Sequence, residues 1–305
     1  MRKGPHCDLL QVTRTATICA TDESVARREG VFPTGGASGY REPFKLGIAG
    51  SGVVSHRAAQ PGMFAPLGLA CRAALRVTAV ERVVVVVPAH DEQELLDECL
   101  RALQLSAHAI PVPAELVVVL DACTDDTASV VDRRARIVVI DRRNVGAARA
   151  AGFAAAGGRC GSETWFATTD ADTVVGPEWL RAQLRRANAG AQMVLGTVVV
   201  DSWGPHSPQV RERYGRRYRS VDGHRHVHGA NLGLRADTYW SAGGFAALDT
   251  GEDVDLVHRV RAAGAAVCWS AELPVRTSSR LEGRAPEGFA AHLRALEAQP
   301  NVLVS

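Results

Sequence analysis

From residue 81 onward, short β-branched runs alternate with stretches in which apolar side chains recur every three to four positions. Residues 82–87, Arg-Val-Val-Val-Val-Val, read as a strand buried on both faces, the kind found in parallel sheets. The turn 88–92 leads into a helix to about residue 107, whose buried stripe is Leu95, Leu96, Cys99, Leu100 and Leu103. Residues 115–120 form the next strand, ending at Asp121; 122–127 open a helix to about 134; and 136–140 form a third strand, ending at Asp141. An Ala-rich helix opens at 144–149 and stops at Gly157-Gly158, and a short aromatic and Thr-rich strand, 165–169, precedes Asp170. Strands and helices alternating with short connections predict right-handed βαβ units: an α/β fold with a mostly parallel sheet and helices on both faces.

The rest of the pattern is less uniform. It predicts a helix over 177–189, a strand over 192–200, an exposed Arg-rich helix over 205–219, and a strand running from His224, His226 and His228 into 229–235. A short helix over 236–242 ends at Gly243-Gly244-Phe245. The next helix runs from 251 to 263 with Leu256, Val257 and Val260 inward and Gly264 as its stop. A strand over 267–269, a basic segment over 275–284 and a final amphipathic helix over 287–298 close the chain, and no internal repeat is visible. Residues 1–78 differ: Ser, Thr, Gly, Pro and Arg mix without a sustained period, so this extension is expected to be disordered. The lesser alternative is a leader upstream of a start at Met63, and a short helix over 65–77 is the one element suggested there. The ordered domain is therefore 79–305, with a first half, 79–175, and a second, 176–305.

Composition narrows the function. With 305 residues, 46% of them hydrophobic, the chain can bury a full core, and a net charge of +2 gives no reason to expect nucleic acid as a partner. Lysine occurs only at Lys3 and Lys45, which removes a Schiff-base or phosphate-loop lysine from everything after residue 45. The 7 cysteines are scattered without a Cys-x-x-Cys pair, as expected of reduced thiols in the cytoplasm. No apolar run is long enough to span a bilayer, so any membrane contact would be peripheral.

The chemistry gathers at the ends of strands. Asp170-Ala171-Asp172 leaves the carboxyl end of one, where open α/β sheets bind ligands. Two hard oxygen donors at i and i+2 can share Mg²⁺ or Mn²⁺, which completes its shell with water and phosphate oxygens. The plainer reading is that Asp170 caps a turn and Asp172 is solvated. The 88–92 turn and Asp121 fall at the same sheet edge. Neither Gly-x-Gly-x-x-Gly nor Gly-x-x-x-x-Gly-Lys-Ser/Thr is present, so a diphosphate would be neutralised by a metal and arginines. Glu252-Asp253 begins a helix, where carboxylates are stabilised by the dipole; either they cap that helix, or Asp253 accepts a proton from an attacking hydroxyl.

Seven pieces in one order carry a resemblance: Val83 to Glu92; Val118 to Thr127; Asn144-Val145-Gly146-Ala147-Ala148-Arg149; Asp170-Ala171-Asp172; Gly229-Ala230-Asn231-Leu232; Gly243-Gly244-Phe245; and Gly251 to Leu256 with Arg259. Together they resemble the family-2 glycosyltransferases of the GT-A fold, over residues 82–264. The resemblance implies a hexosyltransferase that uses a UDP- or GDP-sugar with Mg²⁺ or Mn²⁺ and inverts the anomeric centre, with an acceptor the motifs do not name. By the same resemblance the nucleotide sugar is held by Pro88, Ala89, His90, Glu92, Asp121 (on the base), Asn144, Arg149 and Asp170. Asp172 and Asp170 hold the metal, and Asp253, beside Glu252, is the catalytic base. Asn231, Gly244 and Arg259 belong to the acceptor side. Apart from the resemblance, His258 points off the Glu252-Asp253 helix, where it could reach the diphosphate or metal or stand as a surface histidine. The chain departs from the pattern in having Asp91-Glu92 where Asn-Glu is usual and Cys123 where Ser or Gly is commoner. It lacks Gln-x-x-Arg-Trp, which points to addition of a single sugar.

Other readings stay in view. A sugar-phosphate nucleotidyltransferase would carry a Gly-rich loop with Arg and Lys after the first strand, and a degenerate nucleotide-sugar-binding protein would have lost one of its carboxylates. His224, His226 and His228 would line one side of a strand, a geometry that could hold a metal or simply pack. Arg276, Arg280 and Arg284 could close over phosphates or remain solvated.

Overall fold

The computed structural model describes residues 77–156, 161–200, 202–204, 206–283 and 288–298. The expectations for residues 1–76 with Met63, for the Gly157-Gly158 stop and for Arg284 lie outside them. The first half runs β1 (Arg82–Ala89), α1 (Leu96–His108), β2 (Ala114–Asp121), α2 (Thr127–Val131), β3 (Arg136–Ile140), α3 (Val145–Ala155) and β4 (Thr164–Thr168). The second continues with β5 (Thr173–Val174), α4 (Trp179–Asn188), β6 (Met193–Leu195), β7 (Val198–Val200), α5 (Pro208–Arg217), β8 (Leu232–Arg235), α6 (Ala236–Ser241), α7 (Glu252–Ala262), β9 (Val267–Trp269), β10 (Val275–Thr277) and α8 (Phe289–Glu297).

Seven strands form the main sheet in the order β3-β2-β1-β4-β8-β6-β9. β1 lies parallel between β2 and β4, β3 is parallel to β2, and β8 is the one reversed strand, antiparallel to both β4 and β6. The valine run explains the layers. Val83, Val85 and Val87 pack with Leu96, Leu100 and Leu103 of α1 and Leu180 of α4, whereas Val84 and Val86 pack with Phe153 of α3, Tyr239 of α6 and Leu256 of α7. All five valines are fully buried. At about 1.5–3 kcal/mol per buried aliphatic side chain, this strand anchors both cores. The alternation of side chains along a strand is what allows one continuous apolar run to serve two opposite faces.

The second half departs from its pattern in three places. Residues 192–200 do not make one strand: β6 joins the main sheet and β7 leaves it, the chain turning at Gly196 and Thr197. A Cβ at Gly196 would overlap the amide of Asn231, which itself donates to the Thr197 carbonyl at 2.8 Å. Second, β7 belongs to a small three-stranded sheet, β5-β10-β7, formed with the unforeseen two-residue β5 and with the start of the basic segment as β10. Third, His224, His226 and His228 are not in a strand; β8 begins at Leu232 after a single 3₁₀ turn, Gly229–Asn231. The imidazoles stack on one another and on Tyr218, with 4.0 Å between the ring centroids of Tyr218 and His226. Helices α5 and α8 close a third, small core with Val200, Val210, Tyr214, Leu293 and Leu296. Among the described residues no helix is long and apolar enough to cross a membrane.

Candidate active site

The carboxyl ends of β1, β2 and β4 meet at one edge because the three strands are neighbours in register: Pro88 and Ala89 pair with Val119 and Leu120, and Val86 pairs with Thr168. Past β1 the chain turns sharply, with Asp91 in the left-handed region at φ 52°. Its carboxylate accepts the Thr124 N–H at 2.6 Å, and that bond holds Asp91 below the usual carboxylate range. His90 Nδ1 donates to the Asp121 carbonyl at 2.7 Å. Asp121, at the tip of β2, is buried, and its carboxylate accepts the N–H groups of Arg142, Arg143 and Asn144 at 2.7–2.8 Å. The side chain expected to meet a base therefore also shapes the loop into α3. Asn144 caps that helix by accepting the Ala147 N–H at 2.8 Å, and it donates to the Leu248 carbonyl at 2.8 Å.

Arg149, one turn into α3 and buried, is the hinge between two acidic sites. One end of its guanidinium meets Asp170 at 2.6 Å and the other meets Glu252. A Cβ on Gly229 would overlap this guanidinium, so any larger residue there would have to displace it. Burial pushes the Glu252 carboxyl up, against the pull of Arg149. Asp172 stands close enough to Asp170 to feel its charge. Its pKa is pushed up to about 6 by burial first and then by the Asp170 charge, while Arg280 acts in the other direction. Glu92, at the end of the first turn, is buried and takes a two-point bond from Arg280 at 2.7 and 2.8 Å, and the same guanidinium lies 3.1 Å from Asp172. The small sheet makes that reach available, because the Ser278 N–H just after β10 donates to the Asp172 carbonyl at 3.2 Å. A cavity of about 490 Å³ opens between the 91–95 turn, Thr124-Asp125 and the segment from Ser278 to Glu282.

Asp253 sits in the first turn of α7, accepting the N–H of Gly229 and of Val254, each at 2.7 Å. Beside it His228, foreseen only as one of three alternating histidines, meets Tyr218, which the sequence did not single out, with Oη and Nε2 3.0 Å apart. Burial pushes the His228 imidazole down to about 4, so it is neutral near pH 7, and burial raises the Tyr218 phenol to about 12. No periodicity could have announced the pair, since both lie outside regular structure.

The remaining expected residues are placed differently. Asn231 is buried and fully used: its amide donates to the Thr197 and Leu273 carbonyls and accepts the Trp179 indole N–H at 2.9 Å. It locks the small sheet to the 3₁₀ turn and offers no group to an acceptor. Arg259 bonds Asp255 at 2.6 Å and the carbonyls of Ala242 and Gly244, tying the Gly243-Gly244 turn (φ 85° and 70°) to α7. His258 is exposed on α7 and takes no part in the bonds that join Arg149, Asp170 and Glu252. Among the described residues, the one group of three His, Cys, Asp or Glu side chains with donor atoms within 4.8 Å of one another is Asp91, Cys123 and Asp125, and the histidine triplet does not form one.

Against known proteins, the family model described as Glycosyl transferase family 2 matches residues 84–242, that is 159 of 305 residues. The chain is 38% identical over 112 residues to the succinoglycan biosynthesis protein ExoO of Rhizobium meliloti (strain 1021), a match covering 35% of this chain and 31% of that one. It is similar in structure to residues 1–349 of S. aureus TarS in complex with UDP-GlcNAc, with a TM-score of 0.51 and 15% identity over 70% of this chain and 65% of that one. A second S. aureus TarS structure gives a TM-score of 0.50 at 16% identity, over 71% and 42% of the two chains. The chain thus spans less than a third of its curated relative and less than two thirds of the TarS fragment. At these identities the structural likeness is one of fold.

Proposed function

The chain belongs to glycosyl transferase family 2, with a GT-A fold, and on that premise we propose that it transfers a hexose from a nucleoside-diphosphate sugar to an acceptor hydroxyl. Residues 79–175 take the nucleotide, and residues 176–305 take the acceptor. The observation that carries this reading is the Arg149 bridge: one buried guanidinium joins Asp170 to Glu252, so that the two acidic sites share one cation.

The carboxylates fit a divalent cation. Asp172 and Asp170 offer hard oxygens, and the upward push on Asp172 from burial and neighbouring charge marks a crowded negative site that a cation relieves. Asp172 and Asp170 would hold Mg²⁺ or Mn²⁺, which when bound supplies positive charge to the leaving diphosphate. Asp253 takes the proton of the acceptor hydroxyl as that oxygen bonds to the anomeric carbon, while the bond from that carbon to the diphosphate oxygen breaks on the opposite face; the centre inverts. Pro88, Ala89, His90, Glu92, Asp121 and Asn144 shape the nucleotide end. The free thiols of Cys99, Cys123 and Cys268 support a cytoplasmic setting.

The test is a thermal-shift screen of UDP, GDP, dTDP and CDP, each with and without Mn²⁺ or Mg²⁺; UDP comes first because TarS is solved with UDP-GlcNAc. Binding to the native state raises the melting temperature by linkage. The expected result is a shift with one diphosphate that needs the metal and disappears in Asp172→Ala. No shift with any of the four would sink the proposal in favour of a degenerate fold.

A further inference from the structure

Arg280 lies against Oδ2 of Asp172, one of the oxygens a metal at this pair could take. Its Nη1 and Nη2 donate to the two oxygens of Glu92 at 2.8 and 2.7 Å, and Nη2 also lies 3.1 Å from Asp172 Oδ2. Only 14% of the Asp172 side chain and 6% of the Glu92 side chain are exposed, so solvent screens these charges weakly. With Asp170 alongside, three carboxylates crowd this corner, and Arg280 is a cation that the chain sets against both Glu92 and Asp172. A guanidinium and a divalent ion bound to one carboxylate oxygen would stand within about 4 Å of each other and repel strongly in so dry a place.

We propose that Arg280 is the built-in counter-cation of Asp172 and competes with the metal for it, so that the protein takes up metal together with the nucleoside diphosphate and not before it. The inference rests on the functional reading above. Once displaced from Asp172, Arg280 keeps its two-point bond to Glu92 and stays at the site, where diphosphate oxygens offer it new partners. Glu92 is then a positioning residue for Arg280, which accounts for a buried glutamate at the end of the first turn.

The experiment is a titration of Mn²⁺ into the nucleotide-free full chain, following free Mn²⁺ by electron paramagnetic resonance, for wild type, Arg280→Gln and Arg280→Lys. Arg280→Gln should bind Mn²⁺ about tenfold more tightly than wild type, within the ordinary range of coupling between two ligands of one protein. Arg280→Lys keeps the charge and loses the two-point geometry, so its gain should be a few-fold. Adding Asp172→Asn to Arg280→Gln should abolish the gain. Equal or weaker Mn²⁺ binding in Arg280→Gln, or a gain that survives the Asp172→Asn change, overturns the proposal. Should Arg280→Gln fail to fold, the lysine variant decides: no gain there overturns it as well. Because no nucleotide is present, the answer is separate from the diphosphate screen, whose failure would count against the functional reading alone.

Discussion

Asp170-Ala171-Asp172 and Glu252-Asp253 are the same chemistry in two settings. In each pair one carboxylate is held by Arg149, Asp170 in the first and Glu252 in the second. The other member differs. Asp172 faces like charges and an arginine in a largely buried corner, whereas Asp253 receives neutral N–H donors from Gly229 and Val254 at a helix start. On the proposed function, the first arrangement suits a cation and the second a carboxylate that accepts a proton. Acidic pairs that look alike in the sequence are thus given different surroundings by the fold.

Four experiments bear on that contrast. Asp253→Asn should lower turnover by about 10²–10⁴-fold, the range for a lost general base, while nucleoside-diphosphate affinity by calorimetry changes little. Full activity in that variant would remove Asp253 from the chemistry and erase the contrast. Arg149→Met strips both pairs of their shared partner and leaves Glu252 charged and buried. Urea unfolding should show a loss of about 3–5 kcal/mol, part of it recovered by adding Glu252→Gln; strictly additive effects would mean the bridge does not couple the sites.

Gly229→Ala pushes a methyl group into the Arg149 guanidinium and should cost about 1–3 kcal/mol. Gly176→Ala, where nothing lies within 4 Å of the added carbon, should stay within about 0.5 kcal/mol on the same assay.

The smallest effect separates Asp172 from Asp253 by pH. Because the folded chain raises Asp172 from an ordinary 3.8 to about 6, the native state prefers its protonated form. The stability it contributes is greatest at low pH and is lost as pH rises from about 4 to 6. Without metal at pH 7.5, Asp172→Asn should therefore melt above wild type by about 2–4 °C, the shift that 1 kcal/mol makes in a domain of this size. Metal-dependent nucleotide binding by the wild type should run the opposite way and weaken below about pH 6, since the metal needs the ionised carboxylate. A lower melting point for Asp172→Asn would show that its bond to Arg280 outweighs the crowding.

The residue pattern was legible where burial is repetitive. A run of valines can satisfy two opposite cores only as a central strand, so β1 and the βαβ alternation around it followed directly. The same logic failed at residues 224–228, whose alternate histidines imitate a strand. There the rings found stacking partners in one another and in Tyr218. It failed again at 192–200, where apolar side chains run on but the backbone changes sheets at Gly196.

By itself the sequence determined the parallel half of the sheet, the helices on its two faces and which carboxylates stand at strand ends and at a helix start, because each is a local pattern read within a dozen residues. Only the tertiary structure decided which charges meet. Arg149 binds partners 21 and 103 residues away, and Arg280 reaches back 188 residues to Glu92. Those pairings depend on strand order and on the small sheet carrying the end of β10 back to Asp172, and no periodicity along the chain records which distant strand will be the neighbour.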